Sequence, residues 1–278
     1  MDKVKTWYIT DASKGIGRML AKKLLDSGHN VAAVNWSMED ISDTASGKLL
    51  PLSVDLNDED AISESLYRAH TTFGAIDVVL NNAAYAIGGS IEELSSMEIM
   101  HSLNVNLLAT IRVIQNVLPY LRQQRSGHII NISAISGFSS GAPLPLYTAA
   151  KYAVNGISEA LAQDVAALGI KVSIVTPGEF NTDMQDETAM PFAAKAIADY
   201  KNTRKRQQQQ FVFERMRQGD YDKVTEALLK ISSHPNPPLY LFLGNDAHSK
   251  ARNKIRGLSQ ILEQWKDITH SIDYEIGA

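Results

Sequence analysis

Thr6-Trp7-Tyr8-Ile9-Thr10-Asp11-Ala12-Ser13-Lys14-Gly15-Ile16-Gly17 decides how the rest of the chain is read. Its first five residues are an apolar, β-favouring run. From Arg18 to Ser27, the residues Met19, Leu20, Leu24 and Leu25 fall on one side of a helix. Gly28 closes that helix, and Val31-Ala32-Ala33-Val34 is a second strand. Strand, glycine turn, helix, strand is a βαβ unit, with a phosphate-binding turn where the first strand hands over to the helix. Gly15 and Gly17 let backbone approach a pyrophosphate and let the helix pack close to the strand. The helix start supplies N–H groups that have no intrahelical partner.

Bulk properties set the frame for that unit. A chain of 278 residues fits one large domain or two small ones. Hydrophobic residues at 44% and charged residues at 21% are ordinary for a soluble globular protein. A net charge of −4 and a pI near 6.0 give no field that favours nucleic acid or an anionic membrane. The absence of cysteine excludes disulfides, thiolate nucleophiles and Cys-based metal sites, and no metal site is expected. Met1-Asp2-Lys3-Val4-Lys5 shows no apolar signal-peptide core, and no apolar run is long enough to span a bilayer. The expectation is a cytoplasmic protein.

The rhythm continues along the chain. Leu49 to Asp55 reads as a third strand, and Asn57-Asp58-Glu59-Asp60 opens a helix to about Phe73, with acids where the helix dipole favours them. Ile76 to Leu80 is a fourth strand ending in the small-residue turn Asn81-Asn82-Ala83-Ala84. Ser95 to about Arg125 reads as one long helix broken only near Pro119. Gly127 to Ser133 is a fifth strand, and a Gly/Pro/Ser loop from Ser136 to Pro145 leads to a helix from Tyr147 to about Leu168. Lys171 to Val175 is a sixth strand, stopped by Pro177-Gly178.

Residues 179–221 break the rhythm and read as a mobile insertion over the C-terminal edge of the sheet. Within it, Arg204-Lys205-Arg206 precedes four glutamines and reads as a solvated helical face rather than a nucleic-acid patch. A helix from Val224 to Ser232, a seventh strand from Leu239 to Leu243 and a terminal helix at about 246–268 complete the chain. Alternating strands and helices predict an α/β fold with one doubly wound, mostly parallel, seven-stranded sheet over residues 1–278. Ligands of such sheets bind beyond the C-terminal strand ends. The glycine turn, Asn82, Ser133 and Pro177-Gly178 all follow strands and so gather at that edge.

Tyr147 and Lys151 belong to the same cleft. Four residues apart, they share one helix face. An ammonium beside a phenol favours the phenolate and lowers the tyrosine pKa, which gives a proton donor or acceptor that works near neutral pH. With 10 Tyr in the chain the pattern is weak alone, and its bland reading is a buried-edge aromatic with a solvated lysine. Its place between the fifth strand and Pro177-Gly178 is what gives it meaning.

These ordered motifs resemble the short-chain dehydrogenase/reductase family of single-domain Rossmann enzymes. The resemblance covers residues 4–183 motif by motif. It implies that Ser13, Lys14, Gly15, Ile16 and Gly17 form the cofactor turn, and that Asp55 and Leu56 meet the adenine region. It implies that Asn82 and Ala83 lie along the cofactor, and that Pro177, Gly178 and Thr182 hold the nicotinamide amide. Lys151 would bind the nicotinamide ribose and depress the Tyr147 pKa. Tyr147 would pass a proton to or from a substrate oxygen, and Asn106 would link Lys151 to a water chain. The implied activity is hydride transfer between a nicotinamide cofactor and a small apolar alcohol or carbonyl compound. Pairing through the helices at 95–125 and 147–168 into a homodimer or homotetramer is implied as well.

The sequence departs from the family pattern at the sensitive positions. The family's turn begins Thr-Gly, and here the glycine is Asp11. Its carboxylate either faces and repels a pyrophosphate, unless Lys14 offsets it, or points away and caps the following turn. The family's catalytic serine falls on Ala134. Ser133 lies one residue off, and a one-residue slip along a strand turns a side chain to the other face. Ser136, Ser139 and Ser140 in the loop are the other hydroxyls within reach. The family's Asn-Asn-Ala-Gly ends in Ala84, a difference of one methyl. Asn35-Trp36-Ser37 has no acid to bind NAD's ribose, and Lys14 suits a 2′-phosphate, so NADP is favoured over NAD. Asp11 and Ala134 keep two other readings open, a cofactor-impaired binding, sensor or scaffold protein and non-redox Tyr/Lys acid–base chemistry.

Overall fold

A computed structural model describes residues 3–35, 46–140, 144–178, 191–216 and 220–272. Strands β1 (Thr6–Ile9), β2 (Asn30–Val34), β3 (Leu49–Leu52), β4 (Val78–Asn81), β5 (Gly127–Ile132), β6 (Ile170–Pro177) and β7 (Tyr240–Leu243) form one sheet. Its order is β3-β2-β1-β4-β5-β6-β7, and every pairing is parallel. The seven-stranded doubly wound sheet read from the sequence is therefore the fold, with β6 running two residues further, to Pro177 rather than Val175.

Helices α1 (Gly15–Asp26), α2 (Glu59–Phe73), α3 (Ser96–Leu103), α4 (Ala109–Gln124) and α5 (Pro145–Val165) connect the strands up to β6. After it come α6 (Lys201–Met216), α7 (Tyr221–Ser233), α8 (Asn245–Gln264) and α9 (Lys266–His270). β1 shows why the sheet must be covered twice. Trp7 and Ile9 pack with Leu20 and Leu24 of α1 and Leu228 of α7, while Tyr8 packs with Leu66 of α2 and Val117 of α4. Side chains alternate across a strand, so a strand buried at every position needs helices on both faces.

One correction concerns the long helix. Pro119 lies inside α4 without ending it. The local cost of the proline is offset by the burial of Val113, Val117 and Leu121 of the same helix in the core. The interruption lies earlier, in a π turn at Asn104–Leu108, where the Ala109 N–H reaches back five residues to the Asn104 carbonyl. Asn106 sits in the middle of that turn. Its Nδ2 donates to the Ser102 carbonyl at 2.9 Å, using a side chain where a regular helix uses backbone. The terminal helix is also divided, α8 ending at Gln264 and α9 following Trp265.

Candidate active site

The glycine turn is held from two sides. The Ala12 N–H donates to the Val34 carbonyl at 2.9 Å. Thr10 Oγ1 accepts the N–H groups of Asn82 (2.8 Å) and Ala83 (3.1 Å), while Asn82 Nδ2 donates to the carbonyls of Thr10 and Asp11. The ends of β1 and β4 are thus tied together where the strand order reverses. Gly17 packs so closely here that a Cβ would meet the Asp11 carbonyl and Asn82 Nδ2, so only glycine fits. Helix α2 is capped by Asp58, α3 by a Ser95–Glu98 capping box and α7 by Asp220. Helix α1 has no side-chain cap at Lys14, which is exposed. The N-terminus of α1, at the end of β1, is of the kind that suits an anion.

Asp11 adopts φ +51°, the left-handed conformation that glycine enters freely and that Asp tolerates better than most residues. One carboxylate oxygen accepts Ser13 Oγ at 3.3 Å, inside the turn. Of the two readings of Asp11, this contact favours the local one.

At the adenine-side position, Asp55 Oδ1 accepts the backbone N–H and the side-chain Nδ2 of Asn57 at 2.9 and 2.8 Å. The backbone bond first, then the side-chain bond, holds its carboxyl below the usual range. Leu56 packs against the core and its carbonyl accepts from Arg112. Asn35 is also left-handed, at φ +61°, and its Oδ1 accepts the Val54 N–H. Trp36 and Thr182 lie outside the described residues.

The Tyr147–Lys151 pair stands on the first two turns of α5, after Pro145 at the helix start, where its fixed φ suits the first turn. Lys151 is only 2% exposed. Its Nζ donates to the Ile132 carbonyl at 2.8 Å and lies 5.6 Å from the centre of the Tyr147 ring. Burial lowers its pKa to about 8. Ser133 Oγ is turned to the Lys151 carbonyl at 3.4 Å, and Ala134 is extended beside it. Ser136 is buried in the short 3-10 turn that follows, while Ser139 is partly exposed and Ser140 exposed.

Asn106 spends its side chain on Tyr85. Oδ1 accepts the Tyr85 N–H at 2.9 Å and Nδ2 donates to the Tyr85 carbonyl at 2.7 Å. The π turn lies against α5. Asn106 therefore fixes the chain just after Ala83-Ala84. At the end of β6, the Gly178 N–H donates to the Leu243 carbonyl, and a Cβ on Gly178 would overlap the Asp246 carboxylate. The residues expected from the sequence that can be placed all lie at the carbonyl ends of β1, β3, β4, β5 and β6 or on helices that face them.

Three groups escaped sequence reasoning. Gly137 packs against Lys151 and Ser133, and its carbonyl accepts Asn155 Nδ2, so the loop after β5 is fastened to α5. A glycine in that loop was the one available signal. Second, Arg204 corrects its reading as part of a solvated face. Its Nε meets Glu93 Oε1 at 2.7 Å, with the Glu93 side chain fully buried and that of Arg204 20% exposed. Burial works against the Glu93 charge, but N–H groups of Ile197 and Ser90 and the Arg204 guanidinium outweigh it and hold the carboxyl at about 2. Third, Gln207 is buried and exchanges two hydrogen bonds with the Gly89 backbone. Within the insertion, residues 192–207 are therefore anchored on the segment from Gly88 to Glu98 rather than loosely held. No local pattern announces contacts that span more than a hundred residues.

Among the described residues no cluster of His, Cys, Asp and Glu suits a metal, and no helix is long and apolar enough to cross a membrane.

A fold of this order with a Tyr–Lys pair at the carbonyl edge defines a class. The model of the short chain dehydrogenase family matches residues 5–191. The chain belongs to the short-chain dehydrogenase family, which bears out both the family and the enzyme class, an NAD(P)-dependent dehydrogenase or reductase, expected from its motifs. It is 33% identical over 275 residues to the oxidoreductase BOA17 of Botryotinia fuckeliana, covering 95% of this chain and 98% of that one. It is 34% identical to a 3-ketodihydrosphingosine reductase of Bacteroides thetaiotaomicron, covering 85% and 86%. The crystal structure of a short-chain dehydrogenase from Streptomyces avermitilis superposes with a TM-score of 0.88 at 28% identity, over 98% of this chain and all of that one.

Proposed function

We propose that this chain reduces the carbonyl of a small apolar compound, or oxidises the matching alcohol, with NADP rather than NAD as its nicotinamide cofactor. The observation that carries the reading is the buried Lys151 ammonium, held on the Ile132 carbonyl beside the Tyr147 ring. When bound, the cofactor supplies or accepts the hydride. Tyr147 gives its phenolic proton to the substrate oxygen in reduction and takes it back in oxidation. Lys151 holds the nicotinamide ribose and stabilises the phenolate. Asn106 fixes the Tyr85 backbone beside the pair and connects Lys151 to water.

The turn from Ser13 to Gly17 suits a pyrophosphate, since α1 begins there at the end of β1 and Gly17 lets the helix pack close to the strand. Asp55 and Leu56 flank the adenine, Asn82 and Ala83 flank the ribose, and Pro177, Gly178 and Thr182 meet the nicotinamide amide. Exposed Lys14 suits a 2′-phosphate. An apolar cluster of Ile87, Leu94, Leu146 and Ala193, with Tyr85 against it, adjoins Tyr147 and supports an apolar substrate. Likeness to a 3-ketodihydrosphingosine reductase supports a ketone. A cytoplasmic homodimer or homotetramer completes the proposal.

The Asp11 carboxylate in the phosphate turn and the missing hydroxyl at Ala134 favour a second reading, a cofactor-impaired protein that binds a ligand or partner. Calorimetric titration of the full chain with NADPH and NADH separates the two. Micromolar binding, tighter for NADPH, is expected. No heat at millimolar dinucleotide overturns the redox reading and leaves the second.

A further inference from the structure

The C-terminal arm carries apolar surface that hydride transfer does not use. Its base is rooted in the body. Ala247 and Ala251 of α8 are buried against Ile135, with Phe138 and Phe242 packed around them. Lys254 closes the same joint, donating to Tyr152 Oη at 2.7 Å and lying over the Tyr152 ring. Beyond that point the arm leaves the domain, and every residue from 258 to 272 is exposed. Helical hydrogen bonds nonetheless run through the division at Trp265, from its N–H to Ile261 and from Thr269 to its carbonyl.

The exposed arm is two-sided. Leu258, Ile261, Leu262, Trp265, Ile268 and Ile272 recur at intervals of three and four and share one side, each between 48% and 79% exposed. Together they present on the order of 700 Å² of mainly apolar surface. That is more than a monomer usually leaves open, and about the share each partner buries in a stable dimer. The other side alternates in sign, with Arg256 and Lys266 beside Glu263 and Asp267, and Lys266 pairs with Glu263 at 3.8 Å. Such a rim neither demands a strongly charged partner nor attracts the arm to anionic lipid, and the whole chain carries −4.

We propose that α8 and α9 pair with the same segment of a second copy of this chain, apolar side to apolar side. The stripe runs to both sides of Trp265, so an antiparallel two-fold arrangement lays it on itself and closes the contact. This pairing stands on the arm alone and does not depend on the cofactor reading.

The experiment uses the full chain in analytical ultracentrifugation at micromolar concentration. The variant carries Leu262→Glu and Trp265→Glu, two exposed positions whose change leaves the domain folded, as circular dichroism verifies. The unaltered chain is expected at twice the particle mass of this variant. Because the chain has no cysteine, Trp265→Cys alone, at the centre of the two-fold contact, should oxidise to a covalent dimer, and Gln260→Cys, on the polar side, should not. Equal masses for unaltered chain and double variant, with no cross-link through Trp265→Cys, overturn the proposal. So does an unaltered chain that stays unassembled yet sediments with phosphatidylcholine–phosphatidylserine vesicles in a stripe-dependent way.

Discussion

Lys151 donates to the Ile132 carbonyl at 2.8 Å, so the end of β5 and the second turn of α5 share one buried ammonium. Burial sets its pKa at about 8, which means the charge is present below that pH and fades above it. Activity of the free enzyme is expected to fall as pH rises through about 8, and a kcat/KM profile from pH 6 to 10 measures it. Lys151→Met should lower turnover by roughly 100-fold or more and remove that limb of the profile. An unchanged limb would assign the titration to another group.

Asp11→Gly should improve the phosphate turn in two ways. It relieves a left-handed non-glycine residue, worth about 1 kcal/mol of stability, seen as a rise of a few degrees in Tm. It also removes a carboxylate beside the pyrophosphate position, for a gain of about tenfold or more in NADPH affinity by titration. A higher Tm with no change in affinity would mean that the carboxylate stays on Ser13 and never meets the phosphates.

Ala134→Ser restores a hydroxyl at the position from which a developing oxyanion can be met. A rise in kcat on the order of 100-fold with little change in KM is the expected result in steady-state kinetics. Ser133→Ala should change kcat little, since the Ser133 hydroxyl already faces the Lys151 carbonyl. If Ser133→Ala abolishes turnover instead, the strand register assigned to the catalytic hydroxyl is wrong.

Arg204→Met leaves the buried Glu93 without its cation. Removing one partner of such a pair costs about 3 kcal/mol, and chemical denaturation reads it. KM should rise as the 192–207 segment loosens from the Gly88–Glu98 stretch, while kcat holds. Glu93 is held at about 2 in the folded chain, below its unfolded value, so its stabilising contribution is complete above the unfolded pKa. It is lost as pH falls from about 4.5 towards 2. Glu93→Gln should flatten the dependence of Tm on pH across that window.

The strands were legible in the sequence because each is a short apolar run bounded by turn residues, and β1 is buried at every position. Tyr147 and Lys151 were legible because helical neighbours four apart are also neighbours in the sequence. Pro119 misled because the burial of Val113, Val117 and Leu121 holds α4 together across it, a tertiary effect the local pattern does not carry, and the π turn at Asn106 has no local signature. Arg204 was misread because its partner Glu93 lies 111 residues earlier, and charge patterning along one helix cannot register a distant carboxylate. Asp11 could be seen as a departure, but its left-handed backbone and its bond to Ser13 belong to the folded turn.

The strand order β3-β2-β1-β4-β5-β6-β7 also governs the moment at which the site comes into being. During synthesis the glycine turn can settle once β4 has emerged, because Asn82 is what locks it. Lys151 must wait for its own helix to close on Ile132, and Gly178 has no partner until Leu243 arrives near the end. Parallel pairings of this separation form late and slowly. A nascent or C-terminally shortened chain would thus pass through a stage with the glycine turn tied to β4 and Gly178 not yet anchored. The far end of the candidate site is fastened only by the last strand to join.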